Sequence, residues 1–362
     1  MSRWLIVVVA LAVVTACGSS GSEGGFAALD ASDRSSFRQP SPGDGIRLPA
    51  DLGAHPAYRI EWWYLTANLE VADGTPLGLQ WTQFRRGLSP LRSGAMRAAP
   101  DTWPLDSVWM AHAAVSFNGQ HRFRERFARG GIGQADARAA PLAVWLDDWS
   151  LMARDDAAGW RLTIDNADWS ARLTLTPQRA PVRHGDRGFS AKSTDGTGSM
   201  YFSYVDLAIS GQVRIDGESH AVHGTGWFDR EWSSQFLRSD QRGWDWMGLQ
   251  LDNGARLMAF RLREEGGAFR SGTWIGPDDE RRALKGDAIA LEVLESRDSA
   301  RGEVPVTWRV RVPSEDVDLT VTAPAGSYWN TGLYPYWESP VTVSGSHRGR
   351  GYLELTGYGS SD

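Results

Sequence analysis

Residues Tyr58–Arg86, YRIEWWYLTANLEVADGTPLGLQWTQFRR, decide the fold. Two alternating runs, Tyr58–Val71 and Leu77–Arg86, flank Ala72-Asp73-Gly74, and Asp-Gly tolerates the positive φ that a tight hairpin turn requires. The same signal recurs along the chain. Ser107–Phe117 reaches His121–Phe127 through Asn118-Gly119, and Val205–Ile215 turns at Asp216-Gly217. Leu249–Leu251 reaches Leu257–Leu262 through Asp252-Asn253-Gly254. No segment holds a long helical period, although short helices are expected over Leu91–Asp101 and Glu231–Ser239. The reading is all-β, an antiparallel meander.

The chain also repeats itself. Trp160-Arg-Leu-Thr-Ile through Ala171-Arg-Leu-Thr-Leu-Thr-Pro177 is echoed by Trp308-Arg-Val-Arg-Val through Asp318-Leu-Thr-Val-Thr-Ala-Pro324, at offsets 308 − 160 = 148 and 324 − 177 = 147. Glu61-Trp62, opening a hairpin that ends Phe84-Arg85, is echoed by Asp245-Trp246 and Phe260-Arg261. Ser203–Gly211 is echoed by Ser339–Gly345, and the next strands carry Gly226-Trp-Phe-Asp229 and Gly351-Tyr-Leu-Glu354. Echoes in one order point to two copies of a β unit, each able to close into a small barrel that removes its edge strands. The expected units are residues 51–235 and 236–362.

Of the 362 residues, 41% are hydrophobic and 23% charged, which suits packed cores rather than disorder. The net charge is −6 and no basic cluster interleaved with aromatics occurs, so nucleic acid is not an expected partner. Tryptophan is the outlier, at 18. Its wide ring serves barrel cores and apolar ligand pockets alike. The single cysteine, Cys17, closes no disulfide. A basic start, Met1-Ser2-Arg3, leads into the apolar run Trp4–Val14 and then Val14-Thr15-Ala16-Cys17, which reads as a lipobox. Residues 1–17 are therefore expected as a lipoprotein signal ending at a lipidated Cys17. Residues 18–50 follow as a tether and lead-in loop, anchoring the body to a bacterial envelope membrane through acyl chains.

Chemistry concentrates in Val222–Arg263, where Trp227, Trp232, Trp244 and Trp246 surround Asp229, Glu231 and Asp245. A carboxyl group in a dry aromatic setting tends to keep its proton. Strand alternation puts Glu61 on one face with Trp63, Leu65 and Leu69, and Asp245 with Met247, Leu249 and Leu251. Each acid is then either paired with an arginine such as Arg59, Arg85 or Arg261, or a pocket acid at a barrel mouth. Asp229 shares its face with Trp227 and Glu231, as a surface charge triplet or as a catalytic acid. His112, among Trp109, Met110 and small residues, is a satisfied core histidine or a partner to an acid.

Other constellations fail. His220 and His223 lie in an expected strand, pointing to opposite faces, and no His-Glu-x-x-His exists, so no metal is expected. The Gly-x-Ser-x-Gly elbow of many serine hydrolases is missing, as are phosphate loops and dinucleotide fingerprints. No cofactor is expected.

The segments His55-Pro-Ala-Tyr-Arg-Ile-Glu61-Trp-Trp-Tyr, Gly78-Leu-Gln-Trp-Thr-Gln-Phe-Arg, Trp109-Met-Ala-His112, Gly226-Trp-Phe-Asp229-Arg-Glu-Trp232, Gly243-Trp-Asp-Trp and Gly351-Tyr-Leu-Glu-Leu-Thr-Gly-Tyr358 together resemble the AttH-like branch of the CrtC/AttH family. The resemblance implies two tandem lipocalin-like (calycin) antiparallel β-barrel domains. It also implies a relation to carotenoid hydratase, which adds water to an isoprenoid double bond without a cofactor. In that branch an acid and histidines share a Tyr-His-Asp-His-Asn-Trp type run. At the matching place this chain keeps Asp229 and Trp232 but not the histidines. The resemblance also suggests, at the level of the family, a MacB-like ABC transporter as partner.

The expected activity is binding of an apolar or amphiphilic small molecule, with acid-catalysed hydration or hydrolysis by Asp229, Glu61, His112 and Asp245. Trp63, Trp109, Trp227, Trp232 and Trp246 are the expected ligand-facing rings. The alternative is a non-catalytic module that delivers a lipid or substrate to the transporter.

Overall fold

The computed structural model describes residues 37–89, 106–156, 158–235 and 237–359. Within them the chain forms two antiparallel sheets and no α-helix. The first sheet opens with β1 (Ile60–Val71), β2 (Pro76–Gly87), β3 (Ser107–Phe117) and β4 (Gln120–Arg129). It continues through the short strands β5 (Ala135–Ala139), β6 (Leu142–Leu146), β7 (Trp149–Ala153), β8 (Trp160–Asp165) and β9 (Trp169–Pro177). Two side strands, β10 (Val182–Arg183) and β11 (Phe189–Ala191), lean on β12 (Gly198–Ile215), and β13 (Glu218–Ser233) ends the unit. The second sheet contains β14 (Gln241–Leu251), β15 (Arg256–Glu264), β16 (Gly267–Ile275), β17 (Arg281–Lys285) and β18 (Ala290–Ser299). It ends with β19 (Gly302–Val312), β20 (Val317–Thr322), β21 (Trp329–Asn330), β22 (Tyr336–Gly345) and β23 (Gly349–Thr356).

In each sheet the first strand pairs with the last, β1 with β13 and β14 with β23, which curls the meander towards a barrel. Closure is incomplete, because the sheet paths end at β4 and β5 in one unit and at β17 and β18 in the other. The expected turns form where Asx-Gly sits: Asn118-Gly119 and Asp216-Gly217 both carry positive φ at each residue.

The repeat holds at the level of register. Glu61 faces Arg85 across β1 and β2, and Asp245 faces Arg261 across β14 and β15. The Trp160 and Trp308 echoes open β8 and lie in β19, at matching places in the two meanders. One echo needs correcting. Trp62 stands opposite Glu231, and its counterpart Trp246 stands opposite Glu354, so Glu354 corresponds to Glu231 rather than to Asp229. The helix expected over Glu231–Ser239 does not form. Glu231 to Ser233 continue β13 because Trp62, Glu61 and Ile60 of β1 bind them as a ladder. The expected helix at Leu91–Asp101, the signal and Cys17 lie outside the described residues.

Both interiors are filled. Trp63, Trp81, Trp149 and Trp169 are wholly buried in the first core, and Trp308 and Trp337 in the second. Neither barrel is therefore the ligand container that an aromatic-lined interior suggested. A third apolar cluster, containing Tyr64, Tyr201, Trp227, Trp246, Phe260 and Tyr352, lies between the sheets and is built from their outward faces.

Candidate active site between the barrels

Alternation along β1 sends Glu61 and Trp63 inward and Trp62 and Tyr64 outward. Cross-strand pairing then writes two outward rows across the first sheet. One runs Ser203, Asp229, Tyr64, Thr82, His112, Glu125. The next runs Tyr201, Glu231, Trp62, Phe84, Met110, Phe127. Against them the second sheet presents Trp246, Phe260 and Glu354, with Tyr334 and Tyr336 leading into β22. Between these faces lies a cavity of 640 Å³, a size that suits a small organic ligand. Gly248 permits the close approach of the layers, since a Cβ there would stand 2.6 Å from the Trp246 ring and 3.2 Å from Trp227.

Asp229 lines this cavity and is buried to 2% exposure. Its Oδ1 accepts hydrogen bonds from Trp227 Nε1 (2.6 Å) and from the Ser203 hydroxyl, and its Oδ2 accepts one from Tyr201 (2.8 Å). Burial outweighs these donors and, with the Glu231 carboxylate nearby, pushes the Asp229 carboxyl up to about 7. Behind Ser203 stands His184, whose Nε2 is 2.6 Å from the Ser203 oxygen and whose Nδ1 is 2.8 Å from the Thr273 hydroxyl. Ser203 gives its one proton to Asp229, so His184 must donate from Nε2 and accept at Nδ1. Burial and the charges of Lys192 and Arg281 hold His184 well below the usual imidazole range, which keeps it neutral.

Two more acids join from the second sheet. Glu354 lines the cavity, accepts from Trp244 Nε1 and is pushed up to about 7 by burial. Glu338 accepts from the Tyr64 hydroxyl and lies well above the ordinary carboxyl range, by burial and by the neighbouring Glu354. The interface thus keeps protons on carboxyl groups in an aromatic enclosure. Tyr201→Phe should raise the Asp229 midpoint further, by about one unit, because it removes a donor that favours the charged form. A carboxyl carbon-13 NMR titration reads this directly, and an unmoved midpoint would show that Tyr201 does not hold the acid.

Of the other expected site residues, Trp227 and Trp246 stay with the cavity, Glu61 touches its edge while its side chain turns into the first barrel, and the rest fall elsewhere. Glu61 is on the inner face, ion-paired with Arg85 and Arg230 and bonded to the backbone N–H of His55. Those partners hold it well below the usual carboxyl range despite full burial, so it is no proton donor. Asp245 is likewise inward, 2.6 Å from Arg261 Nε, with burial raising its carboxyl above the usual range. Trp63 and Trp109 stack on each other at 5.7 Å inside the first core, and Trp232 stacks on His55 at 3.9 Å. Odd positions of β1 and β3 and even positions of β13 face inward, so none of these three rings lines the cavity between the sheets, although Trp232 borders a separate 340 Å³ pocket beside His55. Trp227 holds Asp229, and Trp246 lines the cavity beside Trp62 and Trp244.

His112 shares the row of Asp229 but stands three strands away, about 14 Å at the usual strand spacing. Its Nε2 donates to Glu125 Oε1 at 2.9 Å, leaving Nδ1 to accept from the Tyr336 hydroxyl at 3.0 Å. It therefore orients a cavity tyrosine rather than the acid. Tyr64, Tyr201, Ser203, His184, Glu338, Tyr336 and Glu354 were not singled out in the sequence as site residues. The echo pairing Ser203–Gly211 with Ser339–Gly345 ran past several of them, and only the interface between the copies gives them a common purpose.

Two antiparallel meanders, each pairing its first strand with its last and packed back to back over an aromatic cavity, define a lipocalin-like double barrel. The chain belongs to the AttH-like family, whose model matches residues 39–358. A crystal structure of an AttH from Nitrosomonas europaea is similar with a TM-score of 0.80 and 32% identity, covering 90% of this chain and 100% of that one. Kievitone hydratase from Nectria haematococca follows at 0.63 and 14% identity, covering 89% and 98%. CghA with Sch210972 gives 0.53 and 14%, covering 90% and 97%. At that identity the last two share the fold alone. No curated protein matches the chain in sequence.

Proposed function

We propose that the chain is an envelope lipoprotein that takes an apolar or amphiphilic small molecule between its barrels and hydrates or hydrolyses it by acid catalysis. The observation that carries this reading is Asp229, a buried acid with a midpoint near 7, facing a cavity rather than an arginine. In hydration, the Asp229 proton goes to one alkene carbon and leaves a cation on the other. Trp62, Trp244 and Trp246 offer that cation their π faces. Water then adds its oxygen, and its spare proton returns to the Asp229 carboxylate. In hydrolysis the same proton goes to the leaving oxygen as the carbon–oxygen bond breaks, the water oxygen bonds to that carbon, and the water's spare proton returns to the Asp229 carboxylate. Tyr336, held by His112, offers its hydroxyl oxygen to a polar group of the guest at the other end of the cavity. A neighbour in fold that is named a hydratase supports this chemistry.

Native mass spectrometry of protein purified from its own host tests the binding half. An apolar molecule should co-purify at one copy per chain and be lost when Trp246→Ala opens the wall. A cavity that carries no organic guest under these conditions would overturn the reading. A guest that leaves chemically unchanged would favour delivery to an exporter instead.

A further inference from the structure

The cavity opens at one end of the first barrel, where β1 begins and β2 ends, and its rim is unequal. Gln241, Lys192, Asp195 and Arg238 make one side. Leu88, Phe127 and Leu333 make the other, at 41%, 46% and 61% exposure. Among the described residues only Ile132, Met152 and Leu294 are comparably exposed large apolar side chains, and none of them lines the cavity. Exposed apolar surface is thus gathered where the ligand must pass. Single exposed apolar residues need no explanation, but a group at a cavity mouth does.

The described chain begins at the same place. The Phe37 ring packs against Gly87, next to Leu88, the Arg38 carbonyl accepts from Ser234, and Gln39 lines the cavity. Residues 18–36 therefore join Cys17 to the rim itself, and a chain of that length reaches at most about 60 Å. An acyl anchor at Cys17 would thus be tethered to the molecule at its rim end.

We infer that the apolar rim of Leu88, Phe127 and Leu333 docks on the lipid surface, so that the cavity loads from the membrane and its guest is a bilayer-dissolved molecule. The inference goes beyond the proposed chemistry and rests on the proposed lipid anchor together with the cavity and its rim. A guest that is poorly soluble in water would then enter without crossing bulk solvent.

Site-specific quenching tests it. Leu333→Cys and Phe127→Cys, with Met152→Cys and Leu294→Cys as controls, are labelled with a fluorophore in the full lipoprotein on vesicles of phosphatidylethanolamine and phosphatidylglycerol containing a nitroxide lipid. A preparation without an added cysteine sets the background from Cys17. The control positions lie at the far ends of the sheets. Met152 is in the cross-strand row that reaches Glu70, and Leu294 is beside the row that reaches Leu251. Quenching at 333 and 127 should exceed the controls at least threefold. Equal quenching at all four positions, or no association with the vesicles, would overturn membrane docking. So would a rim that stays unquenched because a protein covers it. None of these results bears on whether Asp229 is catalytic.

Discussion

Asp229→Asn is expected to lower turnover by 10²- to 10⁴-fold, the usual worth of a positioned general acid, while the protein still folds and retains its guest. The amide keeps the shape of the carboxyl group. Its oxygen can still accept from Trp227 and Ser203, and its NH₂ can donate to the Tyr201 oxygen, which turns its own proton elsewhere. What disappears is the exchangeable proton. In the wild type the competent form is the protonated one, so activity should be high below the midpoint near 7 and fall as pH rises through it. Glu354 has a similar midpoint and feels the charge of Asp229, so the pair loses its protons in two shared steps.

Stability follows the same sign. An acid whose folded midpoint is raised binds a proton that the unfolded chain has already released, so stability declines from about pH 4 to pH 7 and is level above that. The shift from 3.8 to about 7 corresponds to about 4 kcal/mol. Asp229→Asn should recover part of this at pH 8 and nothing at pH 3.5. A variant that keeps turnover within threefold of the wild type would remove Asp229 from the chemistry, whatever its stability.

The sequence disclosed the strands, turns and duplication because each is written in short-range pattern. Asx-Gly turns need only local backbone freedom, and alternation survives in any sheet. The face each row would meet is a different kind of information. Glu61 and Asp229 have the same residue chemistry and similar neighbours in sequence, yet one points into a barrel and the other away from it. Parity sorted Trp63 from Tyr64 correctly but did not say that inward meant packed solid and outward meant a second barrel. The groups that tune Asp229 come from β12, from the loop after β10 and, through Thr273 and Trp246, from the other unit. No local pattern contains that assembly.

Glu61→Gln is the complementary experiment, and its expected result is a loss of about 3–5 kcal/mol of stability. Glu61 accepts from both Arg85 and Arg230, while Arg230 also holds the Gly53 carbonyl (2.6 Å) and lies 3.9 Å over the Trp63 ring. Arg85 binds the carbonyls of His55 and Tyr58, each at 2.7 Å. One carboxylate therefore bridges two buried guanidinium groups that clasp the lead-in loop to the barrel mouth, with Asp51 supplying a second negative charge near Arg230. Glutamine keeps an acceptor but leaves the two cations only the more distant Asp51 as counter-charge in a dry site.

The pH signature is opposite to that of Asp229. Glu61 is depressed, so its contribution is present above its unfolded value near 4.5 and disappears as pH falls through the lower folded midpoint. The wild type should thus lose stability steeply in acid, and Glu61→Gln should show a flatter acid limb from a lower starting point. Urea unfolding at pH 7 and at successive steps below pH 4.5 measures both quantities. A cost below 1 kcal/mol at pH 7 would mean that water, rather than Glu61, compensates the two arginines. The same variant, where folded, should still bind the guest, because Glu61 keeps its side chain turned into the first barrel and touches the cavity only at the end where β1 begins.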